Sequence, residues 1–135
     1  MKLKIFFDGS SHGNPGPSGI GIIVYDENLR EVTRFSEYVG FRTNNEAEYL
    51  ALKKSLEIAL ELGVDEVELY SDSELLVKQI NKEYHVRNEK LSRLYREIQD
   101  FMKFIKVKMI HVNREENREA DKLANEAIEK QKKHS

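Results

Sequence analysis

From Lys2 to Asp8 the chain alternates, with Leu3, Ile5 and Phe7 on one side and Lys4, Phe6 and Asp8 on the other. This is the period of a strand that ends at the aspartate. Two further apolar runs, "GIGIIVYD" and "EVTRFSEYVG", flank the turn-like "DENLRE", so three consecutive strands are predicted to form an antiparallel meander. At Thr43 the period changes. Ala47, Leu50, Ala51, Leu52, Leu56, Ala59 and Leu60 recur at helical spacing until Gly63, which predicts a helix of about five turns. A strand over "VDEVELYSD", a short helix over "SELLVKQIN", a longer one over "NEKLSRLYREIQDFMKFI", a strand over "KVKMIHV" and a last helix over "NREADKLANEAIEKQ" complete the chain. The order βββαβααβα predicts an α/β fold: a mixed sheet, with the meander beside later strands reached by helical crossovers, flanked by helices.

The 135 residues suit a single domain with one core. Neither a repeat nor a linker divides them, so residues 1–130 are expected to form the domain and 131–135 a frayed, solvated helix end. Hydrophobic residues are 39% and charged residues 34% of the chain, and the formal net charge is −2. That balance is globular and lacks the cationic excess of a protein that wraps long nucleic acid, so any polyanion must be held locally. The absence of cysteine excludes disulfides and thiolate metal sites and fits a reducing compartment. "MKLKIFF" is too short for a signal peptide, and no run of about 18 apolar residues is present to span a bilayer. The expected location is the cytoplasm, with no membrane association and no feature calling for an obligate protein partner.

The candidate chemistry is carried by acids. Behind Asp8 comes "GSSHGNPGP", a glycine-rich turn without the lysine–threonine ending of a phosphate loop and followed by a strand. It is either a tight hairpin or a place where a foreign backbone comes close to exposed N–H groups. In "RTNNEAEYLAL", Thr43 and Glu46 spell a capping box, which leaves Glu48 beside the apolar stripe without a structural task. In "LYSDSELLV", Ser71 and Glu74 spell another, leaving Asp72 unassigned, and "NREADKLA" puts Asp121 on the inward edge of the last helix. Taken singly, each is readily a turn or boundary residue. Together, four acids at strand ends and helix flanks can meet at one edge of a mixed sheet, where they repel and need cations. Hard oxygen donors without cysteine select Mg2+, or Mn2+, over zinc. Two such ions roughly 3.5–4 Å apart stabilise the attacking and leaving oxygens of a phosphodiester displacement.

Asp8 in "DGSSHGNPGP", Glu48 in "TNNEAEYLAL", Asp72 in "YSDSE" and Asp121 in "HVNREENREADKLA" together resemble ribonuclease HI, over nearly the whole chain and in order. The resemblance implies a ribonuclease H-like fold with a five-stranded mixed sheet. It implies a metal-dependent endoribonuclease that hydrolyses the RNA strand of RNA–DNA hybrids with two metal ions, leaving 5′-phosphate and 3′-hydroxyl ends. It also makes Asp8, Glu48, Asp72 and Asp121 metal ligands, with Glu48 also reaching the RNA 2′-hydroxyl, the group that distinguishes RNA. Main-chain groups of Gly9, Ser10 and Ser11 would contact 2′-hydroxyls, Asn14, Asn44 and Asn45 the minor groove, and Thr43 a DNA phosphate. No Ser–His pair or cysteine offers a covalent nucleophile, so the attacking group is expected to be water.

Two departures from the family pattern stand out. The segment "NKEYHVRNEKLSRLY" is short and free of tryptophan where well-known bacterial members carry a long basic handle, and this resembles the handle-less branch of archaea and some bacteria. Near the last acid, His111 matches the family's mobile histidine by ungapped counting, but its alternation with Val107 and Met109 puts it on a strand. Arg114 lies in the loop, resembles the arginine of handle-less members, and is favoured as the cation that assists product release. The arginine expected two residues before Thr43 is Phe41, with Arg42 displaced by one. Rival expectations are an inactive hybrid-binding module of the same fold and a related nuclease acting on double-stranded RNA or junction DNA.

Overall fold

The computed structural model describes residues 1–133. Its elements run β1 (Lys2–Ser11), β2 (Gly16–Tyr25), β3 (Glu31–Arg42), α1 (Asn44–Glu61), β4 (Glu66–Ser71), α2 (Glu74–Ile80), α3 (Glu89–Phe101), β5 (Lys106–His111), a 3-10 turn at Glu115–Asn117 and α4 (Arg118–Lys133). The expected order of strands and helices is the observed one. The sheet order is β3-β2-β1-β4-β5, antiparallel across β3, β2 and β1 and parallel across β1, β4 and β5. Each parallel step is closed by helices, α1 before β4 and the α2–α3 pair before β5, as parallel pairing requires.

Alternation along the central strand sorts the two layers. Leu3, Ile5 and Phe7 join Ile20, Ile22 and Val24 of β2 and Leu52, Leu56 and Ile98 of the helices α1 and α3 in the main core. The other face of β2 carries Gly19 and Gly21 and receives α4. A Cβ on Gly21 would lie 2.1 Å from the Ala120 carbonyl oxygen, and one on Gly19 2.3 Å from that of Ala124. The helix therefore sits on bare strand backbone, which only glycine permits.

Helix α1 begins with both halves of the predicted capping box. Glu46 N–H donates to Thr43 Oγ1, and the Glu46 carboxylate accepts from Thr43 N–H. Its end is set by Gly63 at φ 72°, a left-handed turn that glycine adopts without strain. The second predicted capping box is corrected. Ser73, not Ser71, is the N-cap of α2 and accepts from Leu76 N–H, while Ser71 Oγ receives Ser73 N–H. The strands also run beyond their expected limits: β1 continues three residues past Asp8, because its ladder with β2 extends to Ser11 and Ser18. Residues 134 and 135, the end of the expected frayed segment, lie outside the described residues; Gln131–Lys133 belong to α4.

Candidate active site

The site forms where the central strand outlives one of its neighbours. Parallel pairing of β1 with β4 stops at Phe6 and Tyr70, while β1 continues along β2. Backbone groups on the freed side need other partners. The Asn117 amide donates to the Phe7 carbonyl at 2.8 Å, and Glu48 Oε1 accepts Gly9 N–H at 2.8 Å. Glu48 comes this close because a Cβ on Gly9 would stand 2.2 Å from the Ala47 carbonyl carbon. The nakedness of Gly9 thus admits the first turn of α1, not only a foreign backbone.

Asp8 approaches from β1, Glu48 from α1 and Asp72 from the turn after β4, and one carboxylate oxygen of each lies within 4.8 Å of the other two. Asp8 is 5% exposed and Glu48 3%. Asp121, in the first turn of α4, lines the same cavity of about 330 Å³ as the other three, with Ser10, Asn44 and Arg114 at its walls. It borders Asp8 but stays outside the tight group of three.

Burial pushes the Asp8 carboxyl up to about 12, with the Glu48 charge adding to it. Glu48 rises to about 7, again through burial. Burial and mutual repulsion therefore disfavour carrying both charges together without a cation. Glu48 Oε2 is buried without a hydrogen-bond partner, and leaving such an oxygen unmatched is costly. A hard divalent cation satisfies each of these conditions: it accepts only oxygen donors, offsets the mutual repulsion and fills the vacant valence of Glu48.

The remaining predicted residues surround this centre unevenly. Ser10 Oγ turns away toward Asn125 of α4, and Ser11 Oγ braces the β1–β2 loop against the Gly13 and Arg42 carbonyls. Asn14 Oδ1 accepts the N–H of Asn44 at 3.0 Å, so it ties that loop to the start of α1, and Asn45 is exposed beside it. Gly9 N–H donates to Glu48 Oε1. Arg114, its side chain 92% exposed, holds Nε 4.0 Å from Asp72 Oδ2. His111 closes β5, on a strand as its alternation predicts, and is exposed. Asn117 and Asn125 were not singled out from the sequence. The former reads as loop polarity in "REEN", and the latter's only signal is its i+4 spacing from Asp121, which puts both on one helix face.

Two buried carboxylates, from a strand and a helix, and a half-buried third from the turn after β4 form an oxygen-donor cluster suited to a divalent cation. The sequence model described as "Reverse transcriptase-like" matches residues 6–127. The chain is 36% identical to ribonuclease HI of Halobacterium salinarum across 95% of its own length and 65% of that protein's. The crystal structure of RNase H1 from that archaeon superposes with a TM-score of 0.93 at 34% identity, covering 96% of this chain and 99% of the other. It is 35% identical to ribonuclease H of Acetivibrio thermocellus, with 98% of each covered. The structure of LC11-RNase H1 in complex with an RNA/DNA hybrid matches with a TM-score of 0.90 and 38% identity over 95% of this chain and 97% of that one. The chain belongs to the ribonuclease H family. Its fold is that of the type 1 enzymes, and family and acidic cluster together point to divalent-metal use. Among the described residues no helix is long and apolar enough to cross a membrane.

Proposed function

We propose that this chain is an endoribonuclease that hydrolyses the RNA strand of RNA–DNA hybrids and leaves 5′-phosphate and 3′-hydroxyl ends. The observation that carries the reading is the tight group of buried Asp8 and Glu48 with half-buried Asp72 and its unpartnered Glu48 oxygen, a site that is unfavourable unless it holds cations. The hybrid as substrate is supported by the family and by the LC11 complex. Residues 1–130 serve as one ribonuclease H domain.

Asp8, Glu48, Asp72 and Asp121 would hold Mg2+, with Mn2+ a competent substitute, in a pair of sites. The ions when bound supply an activated water and charge stabilisation at a phosphodiester. The protein's own residues do the rest. Burial keeps water from screening the carboxylates. Glu48, anchored by Gly9 N–H, keeps a fixed orientation toward the RNA sugar. Asn44 and Ser10 line the approach, Asn14 and Asn45 flank it, and Ser11 shapes the loop. Thr43 Oγ1 accepts in its helix cap and retains its own proton to donate to a DNA phosphate. Arg114 stands at the rim as a permanent cation beside the departing phosphate.

The test is a panel of labelled substrates with Mg2+: RNA–DNA hybrid, double-stranded RNA, junction DNA and single strands. Cleavage confined to the RNA of the hybrid, and absent with chelator, is the expected result. Hybrid binding without cleavage, or cleavage of another duplex in preference, refutes the reading.

A further inference from the structure

Asn125 is one turn beyond Asp121 on α4, and its amide is saturated. Nδ2 donates to the Asp121 backbone carbonyl at 2.9 Å and to Asp121 Oδ1 at 3.2 Å. Oδ1 accepts from Ser10 Oγ at 3.3 Å and lies 2.8 Å from His12 Nε2. An amide has two hydrogens and two lone pairs, so nothing is left over. The orientation is also fixed. Reversed, the amide oxygen would face two acceptor oxygens of Asp121, and the amino group would face His12 Nε2. That nitrogen carries the imidazole proton, because Nδ1 lies 3.1 Å from the Lys132 ammonium, which can only donate.

Asp121 touches Asp8 but stands apart from the tight group of three. One of its oxygens is gripped by a side chain that also binds Ser10 of β1 and His12 of the β1–β2 loop. We propose that Asn125 is a positioning residue: it aims the Asp121 carboxylate into the metal site and couples it to the end of β1 and the loop behind it through Ser10 and His12. The proposal rests on the reading of the four acids as a metal site. Outer partners of ligating carboxylates orient them and tune affinity, and their removal typically costs about 10–100-fold in metal affinity.

The experiment reads metal binding without catalysis. Melting temperature is followed against Mn2+ concentration for the full chain, Asn125→Ala, His12→Ala, Asp121→Asn and the double variant Asp121→Asn/Asn125→Ala. The Mn2+ concentration that gives a fixed rise above each protein's own metal-free melting temperature, here called the midpoint, is compared, which removes any purely structural loss. Asn125→Ala is expected to raise the midpoint about tenfold. His12→Ala, on an exposed loop, should raise it about threefold, the scale of one neutral hydrogen bond. In the Asp121→Asn background, Asn125→Ala should add nothing, because the residue acts through that carboxylate.

An Asn125→Ala midpoint within twofold of the unsubstituted protein, or an undiminished shift in the Asp121→Asn background, overturns the proposal. If Asn125→Ala does not fold, His12→Ala decides: a shifted midpoint supports the coupling and an unchanged one refutes it. Failure of Mn2+ to stabilise the unsubstituted protein overturns the metal-site reading itself, and with it this one. A stabilised parent with an indifferent Asn125→Ala overturns only this one.

Discussion

Replacing Asp8 with asparagine removes an ionisable group from a buried part of the site while keeping its shape. The folded protein holds the Asp8 proton up to about 12, through burial first and the Glu48 charge second, whereas an unfolded carboxyl releases it near its ordinary value of 3.8. A group whose folded pKa is raised contributes stability in full below the unfolded pKa, and loses it as pH climbs toward the folded one. Each pH unit in that window removes about 1.4 kcal/mol, so between pH 4 and 7 the ceiling is about 4 kcal/mol. Local water entry and relaxation reduce this, and about 1–3 kcal/mol is a realistic gain for Asp8→Asn at pH 7 in chelator. That corresponds to a melting temperature higher by roughly 3–10 °C for a chain of this size. The advantage should vanish near pH 4, where both side chains are neutral. It should also shrink in Mg2+, because the parent gains about 2.7 kcal/mol at a hundred times its dissociation constant while the variant gains little. The assay is thermal melting of both proteins from pH 4 to 8, with EDTA and with Mg2+, beside hybrid cleavage. An asparagine variant less stable than the parent at pH 7 in EDTA, or a pH-independent difference, refutes the electrostatic account. Substantial Mg2+-dependent cleavage by it refutes the site.

Arg114→Ala is expected to lower kcat on a hybrid about tenfold with KM nearly unchanged, the mark of a contact made in the transition state. His111→Ala, exposed at the end of β5, should change kcat less than twofold and stability by less than about 0.5 kcal/mol. Steady-state kinetics on both variants check the pair, and a slow His111→Ala beside a normal Arg114→Ala reverses the roles. Gly9→Ala drives a methyl into the Ala47–Glu48 backbone and should cost about 3 kcal/mol or more in urea unfolding. A loss under about 0.5 kcal/mol would show that the close contact between β1 and α1 is not a constraint.

The acids and the scaffold were legible because their signals are local. A period-two run that ends in Asp8, a capping box that leaves Glu48 unexplained and a helix edge that carries Asp121 each occupy a few residues. Supporting residues were not legible, since their partners are remote. Asn117 is buried only because the Phe7 carbonyl, 110 positions away, has lost its strand partner, and no window around "REEN" contains that fact. The close approach of α1 to Gly9 is of the same kind: the Ala47–Glu48 backbone that a side chain there would strike lies up to 39 positions away. Ser71 and Ser73 show the limit at short range, where two hydroxyls compete for one helix start and the geometry of the turn decides.

The seat of α4 on Gly19 and Gly21 has a consequence for how the site is assembled and lost. Three of the acids belong to the first 72 residues and the sheet they build, but the fourth arrives with a helix laid against bare strand backbone, joined to the end of β1 by a contact spanning 115 residues. A nascent chain therefore carries an incomplete site until the start of α4 has been made. The mature protein, too, has a seam: if α4 lifts from the two glycines, Asp121 and Asn125 leave together, while Asp8, Glu48 and Asp72 remain on the rest of the body. Whether the centre is whole depends on the grip of one helix, whose close seat two missing methyl groups permit.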